Sequence, residues 1–319
     1  EGLSQDLNYN VMFSQRGVLN LAHTPGQLDS YARRGNAMRL HGIDAELLDR
    51  EQVAAYAPGI DLSQETRFPI VGGLLQPRGG TARHDAVAWG FAYGADRQGV
   101  DLIENCEVTG FLREKGAIAG VETTRGTIRA GKVGVAVAGS TSAVLQKAGL
   151  HNLPIESHVL QAFVSEALKP LIDGVVTFGA GHLYISQSDK GSLVYGGDID
   201  GYNSYAQRGN LPIVKHVAAA AVTLFPNLAR LRMLRSWGGI MDMSMDGSPI
   251  ICKGPFPGLY INAGWCYGGF KATPASGWCF AHTIAQDAPH ALNAAFTLER
   301  FAQGRVIDER GAGPRPELH

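Results

Sequence analysis

Residues 246–277, DGSPIICKGPFPGLYINAGWCYGGFKATPASG, constrain the fold more than any other stretch of the chain. Leu259 to Ala263 is an apolar run of strand length, closed by Gly264. Trp265, Cys266 and Tyr267 follow, then Gly268, Gly269, Phe270 and Lys271, and then Thr273-Pro274, an N-cap residue before a proline suited to a first helical position. The order is strand, glycine loop, helix start. Glycines let a backbone pass close to a flat ligand, and a helix N-terminus presents unpaired N–H groups to electron-rich atoms. Lys271 adds a cation between the two. A glycine-rich connection carrying a surface lysine accounts for the same residues equally well, so the decision falls to the rest of the chain.

At 319 residues the chain has room for about two domains, and with 45% hydrophobic and 18% charged residues it is a folded protein. A formal charge of −1 gives no electrostatic footprint for nucleic acid or an anionic membrane, which favours work on small molecules. Cys106, Cys252, Cys266 and Cys279 form no CxxC pair and have no zinc-like spacing; they read as reduced, mostly buried thiols, with the cytoplasm as the default location. Val217 to Phe225, the longest uncharged apolar stretch, is too short to span a bilayer, and the opening residues Glu1-Gly2-Leu3-Ser4 do not resemble a signal peptide. Without an initiator methionine, the sequence reads as part of a longer chain.

Two apolar runs around Arg16-Gly17, within residues 9–22, predict a hairpin. Helices are predicted over 26–40 and 49–56, and a short strand over 72–76 before the tight turn Pro77-Arg78-Gly79-Gly80. In Thr81 to Gln98, Val87, Ala88, Phe91, Ala92 and Ala95 recur with a period of 3.6, which predicts a helix ended by Gly99. Arg83 and His84 fall at its N-terminal end. By spacing alone that histidine reads as structural or solvent-facing. Residues 101–138 predict a meander with turns at Lys115-Gly116, Arg125-Gly126 and Ala130-Gly131, feeding a buried strand over 133–138. Gly139-Ser140-Thr141-Ser142 then precedes a helix, a second strand, turn and helix of the kind that lies against cofactors in open α/β sheets. Short strands within 154–200 predict a separate antiparallel sheet, followed by a helix over 214–224. A helix from Pro274 to about Asp287 and a loose tail over Gly311–His319 complete the reading.

There is no GxGxxG between strand and helix, no P-loop, no HExxH, no GxSxG and no histidine–cysteine metal cluster. Gly179-Ala180-Gly181 fails as a fingerprint because strand-like residues follow it. Hydrolase and metalloenzyme readings lose their support. What remains is the texture of a cofactor domain without its fingerprint.

Three segments carry a resemblance: RGGTARHDAVAW at 78–89, VGVAVAGSTS at 133–142, and DGSPII at 246–251 with GWCYGGFK at 264–271. With LNYNVMFSQRGVLNLAH at 7–23, they make the chain resemble the beta subunits of heterotetrameric sarcosine oxidases, within the flavin-dependent amine oxidase family that includes D-amino acid oxidase. The resemblance covers essentially the whole chain. It implies an α/β fold: a Rossmann-like FAD-binding domain lacking its first βαβ unit, plus an antiparallel-sheet substrate domain with helices. The expected division is 1–70 substrate-domain hairpin and helices, 71–150 middle segment of the FAD domain, 151–235 substrate sheet, and 236–319 return of the FAD domain with the tail.

The resemblance also implies roles. Gly264, Gly268, Gly269 and Phe270 would pass along the FAD ring, with Lys271 beside the substrate as the catalytic residue. Gly139 would lie near FAD, and the Val108 backbone would meet its adenine. His84 matches the histidine that covalently holds FMN in the heterotetrameric enzymes, and an imidazole nitrogen is a competent nucleophile for such a bond. Arg83, Arg232 and Arg235 are candidates for the FMN phosphate. Met241 and Met243 stand where monomeric relatives attach FAD through cysteine, so FAD is expected to be non-covalent. The GxGxxG unit and an arginine used by relatives for the substrate carboxylate would lie in a missing first part, without which FAD binding would suffer. The implied activity is oxidation of sarcosine to glycine and formaldehyde, with hydride passing to FAD, electrons to FMN, and oxygen reduced to hydrogen peroxide. Alpha, gamma and delta subunits would be its partners, with no nucleic acid and no membrane. Rival readings are an oxidase or dehydrogenase of dimethylglycine, proline or another N-substituted amino acid, and a non-catalytic interaction fragment.

Overall fold

The computed structural model describes residues 1–307, which fold as two compact units: residues 1–102, 160–199 and 208–238 in the first, and residues 103–159, 200–207 and 239–307 in the second. The stretch Gly311–His319, read above as a tail, lies outside the described residues.

Local signals set most element ends. After a single turn, α1 (Leu3–Asp6), and strand β1 (Val18–Ala22), Thr24 caps α2 (Pro25–Leu40) by accepting from the Gln27 N–H, and Pro25 fills a position that needs no donor. Strand β2 (Glu46–Leu48) leads to α3 (Arg50–Tyr56), opened by a capping box: the Asp49 carboxylate takes the Gln52 N–H, and the Gln52 side chain takes the Asp49 N–H. Strand β3 (Gly72–Gln76) precedes α4 (His84–Asp96), which stops at Gly99, φ +81°. The predicted meander is β4 (Val108–Glu114), β5 (Ala117–Thr123) and β6 (Gly126–Arg129). Then come β7 (Val133–Val135), α5 (Thr141–Lys147), β8 (Ile155–Ala167), β9 (Val175–Phe178), β10 (Leu183–Gln187) and β11 (Ser192–Ile199). Asn210 caps α6 (Leu211–Leu224) by accepting from the Ile213 N–H. Last are β12 (Met233–Ser244), β13 (Ile250–Lys253), β14 (Leu259–Ala263), α7 (Gly269–Gln286) and α8 (Glu299–Ala302).

The first unit is built on a sheet ordered β12-β8-β11-β10-β9-β1-β3-β2. Neighbours from β8 to β9 and from β1 to β2 pair antiparallel, while β1 and β9 run parallel. Alternate residues, Leu183 and Ile185 on β10 and Leu193 and Tyr195 on β11, enter one core with Ile213, Val217, Ala221 and Leu224 of α6. Each buried leucine, isoleucine or valine among them contributes roughly 1.5–3 kcal/mol of hydrophobic stabilisation.

In the second unit β14 pairs parallel with β7 and antiparallel with β13, beside the separate β4-β5-β6 sheet. Val135, Ile250, Cys252, Leu259, Ile261 and Ala263 pack with Ile118, Leu145 and Ile155 in its core. Gly134 of β7 lies under α7, since a Cβ there would be 3.1 Å from the Phe280 ring. The buried strand expected over 133–138 is shorter and more open than its apolar run suggests: it ends at Val135, the one buried residue of the three, and Ala136, Val137 and Ala138 are exposed.

Three local expectations change. The 9–22 hairpin does not form: β1 pairs with β3 and β9 instead, and Ser14 makes only an isolated bridge to Thr81. An interior strand finds its partners wherever they bury its sides best. The last long helix begins at Gly269 rather than Pro274, and the Thr273 hydroxyl donates back to the Gly269 carbonyl instead of capping. Finally, α4 buries Ala86, Val87 and Gly90 and leaves Ala88 exposed. Gly90 admits the N-terminal segment, for a Cβ there would sit 3.1 Å from both Leu7 and Tyr9.

Candidate functional site

The glycine loop follows directly from the end of β14. Gly264 takes φ +70°, a left-handed conformation that glycine adopts without a Cβ penalty, and Cys266 takes φ +49°. The loop is held from β12. The buried Asp242 carboxylate accepts the Gly264 N–H at 2.5 Å, and the Asp242 main-chain carbonyl accepts the Cys266 N–H at 3.0 Å. Burial pushes the Asp242 carboxyl up from its ordinary range, only partly offset by backbone N–H donors that include Gly264 and Trp265. The Gly268 N–H donates to the Trp265 carbonyl at 2.8 Å, and the Trp265 indole N–H to Asn262 Oδ1 at 2.6 Å.

Gly268 is the N-cap of α7, and Gly269, Phe270 and Lys271 form its first turn. A Cβ at Gly269 would lie 3.1 Å from the Trp265 side chain, so this glycine also permits a close loop-to-helix packing. Phe270 and Lys271 are exposed. First-turn N–H groups have no partner within the helix and carry its positive end, and the Lys271 ammonium adds a full charge to the same turn. The sequence stretch singled out first is therefore a cationic, glycine-lined helix start.

Gly139 and Val108 belong to the same unit. Gly139 is buried in the turn after β7, and its Ser157 partner donates to its carbonyl at 2.7 Å. A Cβ at Gly139 would fall 2.5 Å from the Ile240 carbonyl oxygen, so the approach of β12 alone requires glycine there. Val108 opens β4, and its carbonyl accepts from Lys147 Nζ at 2.7 Å.

In the first unit, His84 is the exposed first residue of α4, and Arg83 is its N-cap. Arg83 is paired with Asp85: its Nε donates to Asp85 Oδ1 at 3.0 Å, and a second, shorter contact joins Nη2 to Oδ2. That pairing lowers the Asp85 carboxyl and engages the guanidinium offered above for a phosphate. Arg232 and Arg235 are exposed on or beside β12.

Two features escaped the sequence reading. Asp242 carried no motif, being an acid between two methionines. Arg300 is 2% exposed, and it donates through Nε and Nη2 to both Asp246 oxygens at 2.8 Å and through Nη1 and Nη2 to the Pro249, Thr297 and Ser248 carbonyls. The DGSP turn is thus anchored by a residue 54 positions away. Asp246 in DGSPII was visible; its partner was one arginine among many. Among the described residues, no group of three histidine, cysteine, aspartate or glutamate side chains could hold a metal ion, and no helix is long and apolar enough to cross a membrane.

Comparison with known proteins decides the family. The family model for FAD dependent oxidoreductases, DAO, matches residues 1–283. Sarcosine oxidase subunit beta of Rhizobium meliloti (strain 1021) is 67% identical over 319 residues, all of this chain and 76% of that protein. The chain belongs to the sarcosine oxidase beta-subunit branch of the DAO family. The same subunit of an Arthrobacter species is 53% identical over 312 residues, spanning 98% of this chain and 77% of that one. Among solved structures, L-proline dehydrogenase from P. horikoshii superposes with a TM-score of 0.86 at 26% identity, over 96% of this chain and 81% of its own. As a DAO-family member the chain is a flavin-dependent amine oxidoreductase with an α/β fold of mixed and antiparallel sheets, and FAD is the family cofactor. The donor set fits that cofactor: main-chain N–H groups at the α7 start, two glycines without side chains and one ammonium suit the electron-rich edge of a flavin ring.

Proposed function

We propose that this chain is the flavin-bearing subunit of an enzyme that oxidises sarcosine to glycine and formaldehyde and reduces oxygen to hydrogen peroxide. The observation that carries the reading is Lys271 in the first turn of α7, directly after Gly268 and Gly269, in a chain 67% identical along its whole length to a sarcosine oxidase subunit beta. When bound, FAD would accept the hydride of the N-methyl carbon–hydrogen bond, and FMN would carry the electrons on to oxygen.

The chain's own residues supply the surroundings. Gly264, Gly268, Gly269 and Phe270 would hold the FAD ring, and the turns at Val108 and Gly139 would hold the rest of that cofactor. Lys271 acts electrostatically. Together with the positive end of α7 it favours negative charge placed against it, as preorganised donors do, without moving during the reaction. FAD is held non-covalently, with Met241 and Met243 offering no thiol for a bond. His84, exposed at the start of α4, is the residue that would hold FMN covalently through an imidazole nitrogen. Because Arg83 is already engaged by Asp85, Arg235 or Arg232 serves the FMN phosphate better. Alpha, gamma and delta type subunits complete the assembly.

Replacing Lys271→Met in the FAD-loaded enzyme should leave flavin content intact and slow turnover by about two orders of magnitude or more. Unchanged turnover would sink the role of the lysine. The second test is flavin fluorescence on the denatured chain after co-expression with its partners: it should be present in the wild type and absent in His84→Ala. A chain without covalent flavin removes the FMN assignment.

The likeness to L-proline dehydrogenase favours a second reading, a dehydrogenase or oxidase of proline, dimethylglycine or another N-substituted amino acid. A substrate panel compared by kcat/KM separates it from sarcosine oxidation.

A further inference from the structure

We infer that Asp242 is the positioning residue of the glycine loop, bracing it from β12 so that the first turn of α7, and Lys271 with it, is held in one place. This inference rests on the reading of Lys271 given above.

Three successive loop N–H groups converge on this one residue. Gly264 donates to Oδ2 at 2.5 Å, the Trp265 N–H acts on the same carboxyl, and Cys266 donates to the main-chain carbonyl at 3.0 Å. Asp242 is 3% exposed, and the groups that act on it are backbone donors with no cation among them. A carboxylate out of water is costly unless it is fully hydrogen-bonded. A carboxylate offers two acceptor oxygens to adjacent donors, where serine or asparagine would offer one. The loop in turn needs bracing. Cys266 is a non-glycine residue at φ +49°, which the chain does not adopt unless its neighbours impose it. Its Sγ also lies 3.6 Å from the Ser244 hydroxyl, two residues after Asp242 on β12, and Ser244 donates to the Ser248 carbonyl at 2.7 Å.

From there the bracing passes to the helix without a gap. The Gly268 N–H returns to the Trp265 carbonyl, and the Ala272 N–H closes on the Gly268 carbonyl at 3.3 Å, which brackets Lys271 inside the first turn. Releasing the Asp242 side-chain contacts frees Gly264 and Trp265, where this path to the helix begins. The consequence is displacement of the Lys271 ammonium, and charge placement is what its role depends on.

The test uses Asp242→Asn, which keeps the shape but replaces one acceptor oxygen with a donor facing a donor. Folding is checked by a thermal melt. Hydrogen exchange of residues 259–270, followed by mass spectrometry, should be about tenfold faster or more in Asp242→Asn, with the β4–β6 meander unchanged. Exchange equal to the wild type overturns the inference. Asp242→Glu, which keeps the charge but moves the acceptor by a methylene, should also accelerate exchange; if Asp242→Asn does not fold, equal exchange in this variant overturns it instead. In the FAD-loaded enzyme, Asp242→Asn should shift the visible absorption of bound flavin and lower kcat more than it changes KM. The double variant Asp242→Asn with Lys271→Met should turn over no more slowly than Lys271→Met alone, since both act through one charge. If the two losses multiply, Asp242 does not act through the lysine. Unchanged turnover in Lys271→Met removes the lysine's role, while hydrogen exchange decides the bracing independently.

Discussion

Two buried acids lie four residues apart, and their surroundings drive them in opposite directions. Burial raises Asp242, and its N–H donors only temper the effect. Burial would also raise Asp246, but the hydrogen bonds of Arg300 and the N–H groups of Ile307 and Ser248 outweigh it and hold that carboxyl below its ordinary value. A lowered folded-state value means that the pair stabilises the fold above the unfolded carboxyl range, about pH 3.9, and that this contribution is lost as pH falls through the folded value. Wild-type melting temperature should therefore drop more steeply below about pH 4 than that of Asp246→Asn. Removing only the cation leaves a buried carboxylate unpaired, so Arg300→Met should cost roughly 3–5 kcal/mol at neutral pH, and adding Asp246→Asn should recover part of it. Chemical denaturation of the three variants measures both effects.

At the scale of elements, α7 joins the candidate site to the sheet and is secured at both ends. Its C-cap, Asp287, takes φ +55° and accepts from Lys253 at 2.8 Å and from the Tyr260 hydroxyl at 2.6 Å. Lys132 donates to the Ile284 and Ala285 carbonyls, a cation placed against the negative end of the helix. Pro274 costs the helix one hydrogen bond, that of the Phe270 carbonyl, close enough to the N-terminus for the helix to continue. The turn after β7 makes a second element-level point. Because the Ile240 backbone occupies the space of a Cβ at Gly139, Gly139→Ala should lower stability by about 1–3 kcal/mol through overpacking. The loss should be present without FAD as well as with it, as urea melts of both forms would record. A loss confined to the FAD-loaded form would assign the glycine to the cofactor alone.

For the whole molecule, the thiols report on how the cores are closed. Cys106, Cys252, Cys266 and Cys279 are all free. Burial pushes the Cys252 thiol up to about 12 and raises those of Cys266 and Cys279 as well. Since the thiolate is the reactive form, alkylation of the native chain at pH 8 should be fast at about one site, the half-buried Cys106, and should reach the other three only on unfolding. Peptide mass spectrometry over a time course checks the order. Fast labelling of Cys252 would mean that the core of the second unit opens.

Much of this fold was legible in the sequence because its signals are local. The helices over 26–40 and 49–56, the glycine turns at Gly99 and Gly116, and the short strands within 154–200 each follow from signals that act within a few residues, and the strand, glycine loop and helix around Lys271 belong to that class. The role of His84 rested on resemblance alone, for a histidine at a helix start has no distinguishing spacing. What the tertiary structure decided depends on pairings that no local pattern encodes. β1 joins β9 and β3 rather than its neighbour in the chain, Asp242 reaches Gly264 across 22 residues, and Arg300 reaches Asp246 across 54. The physical reason is the same in each case: a buried strand edge, carboxylate or guanidinium must be satisfied by whichever group the packed chain brings to it. The sequence alone therefore determined that a cationic glycine loop opens a helix, and only the tertiary structure decided that the helix begins at Gly269 and that a buried aspartate holds it there.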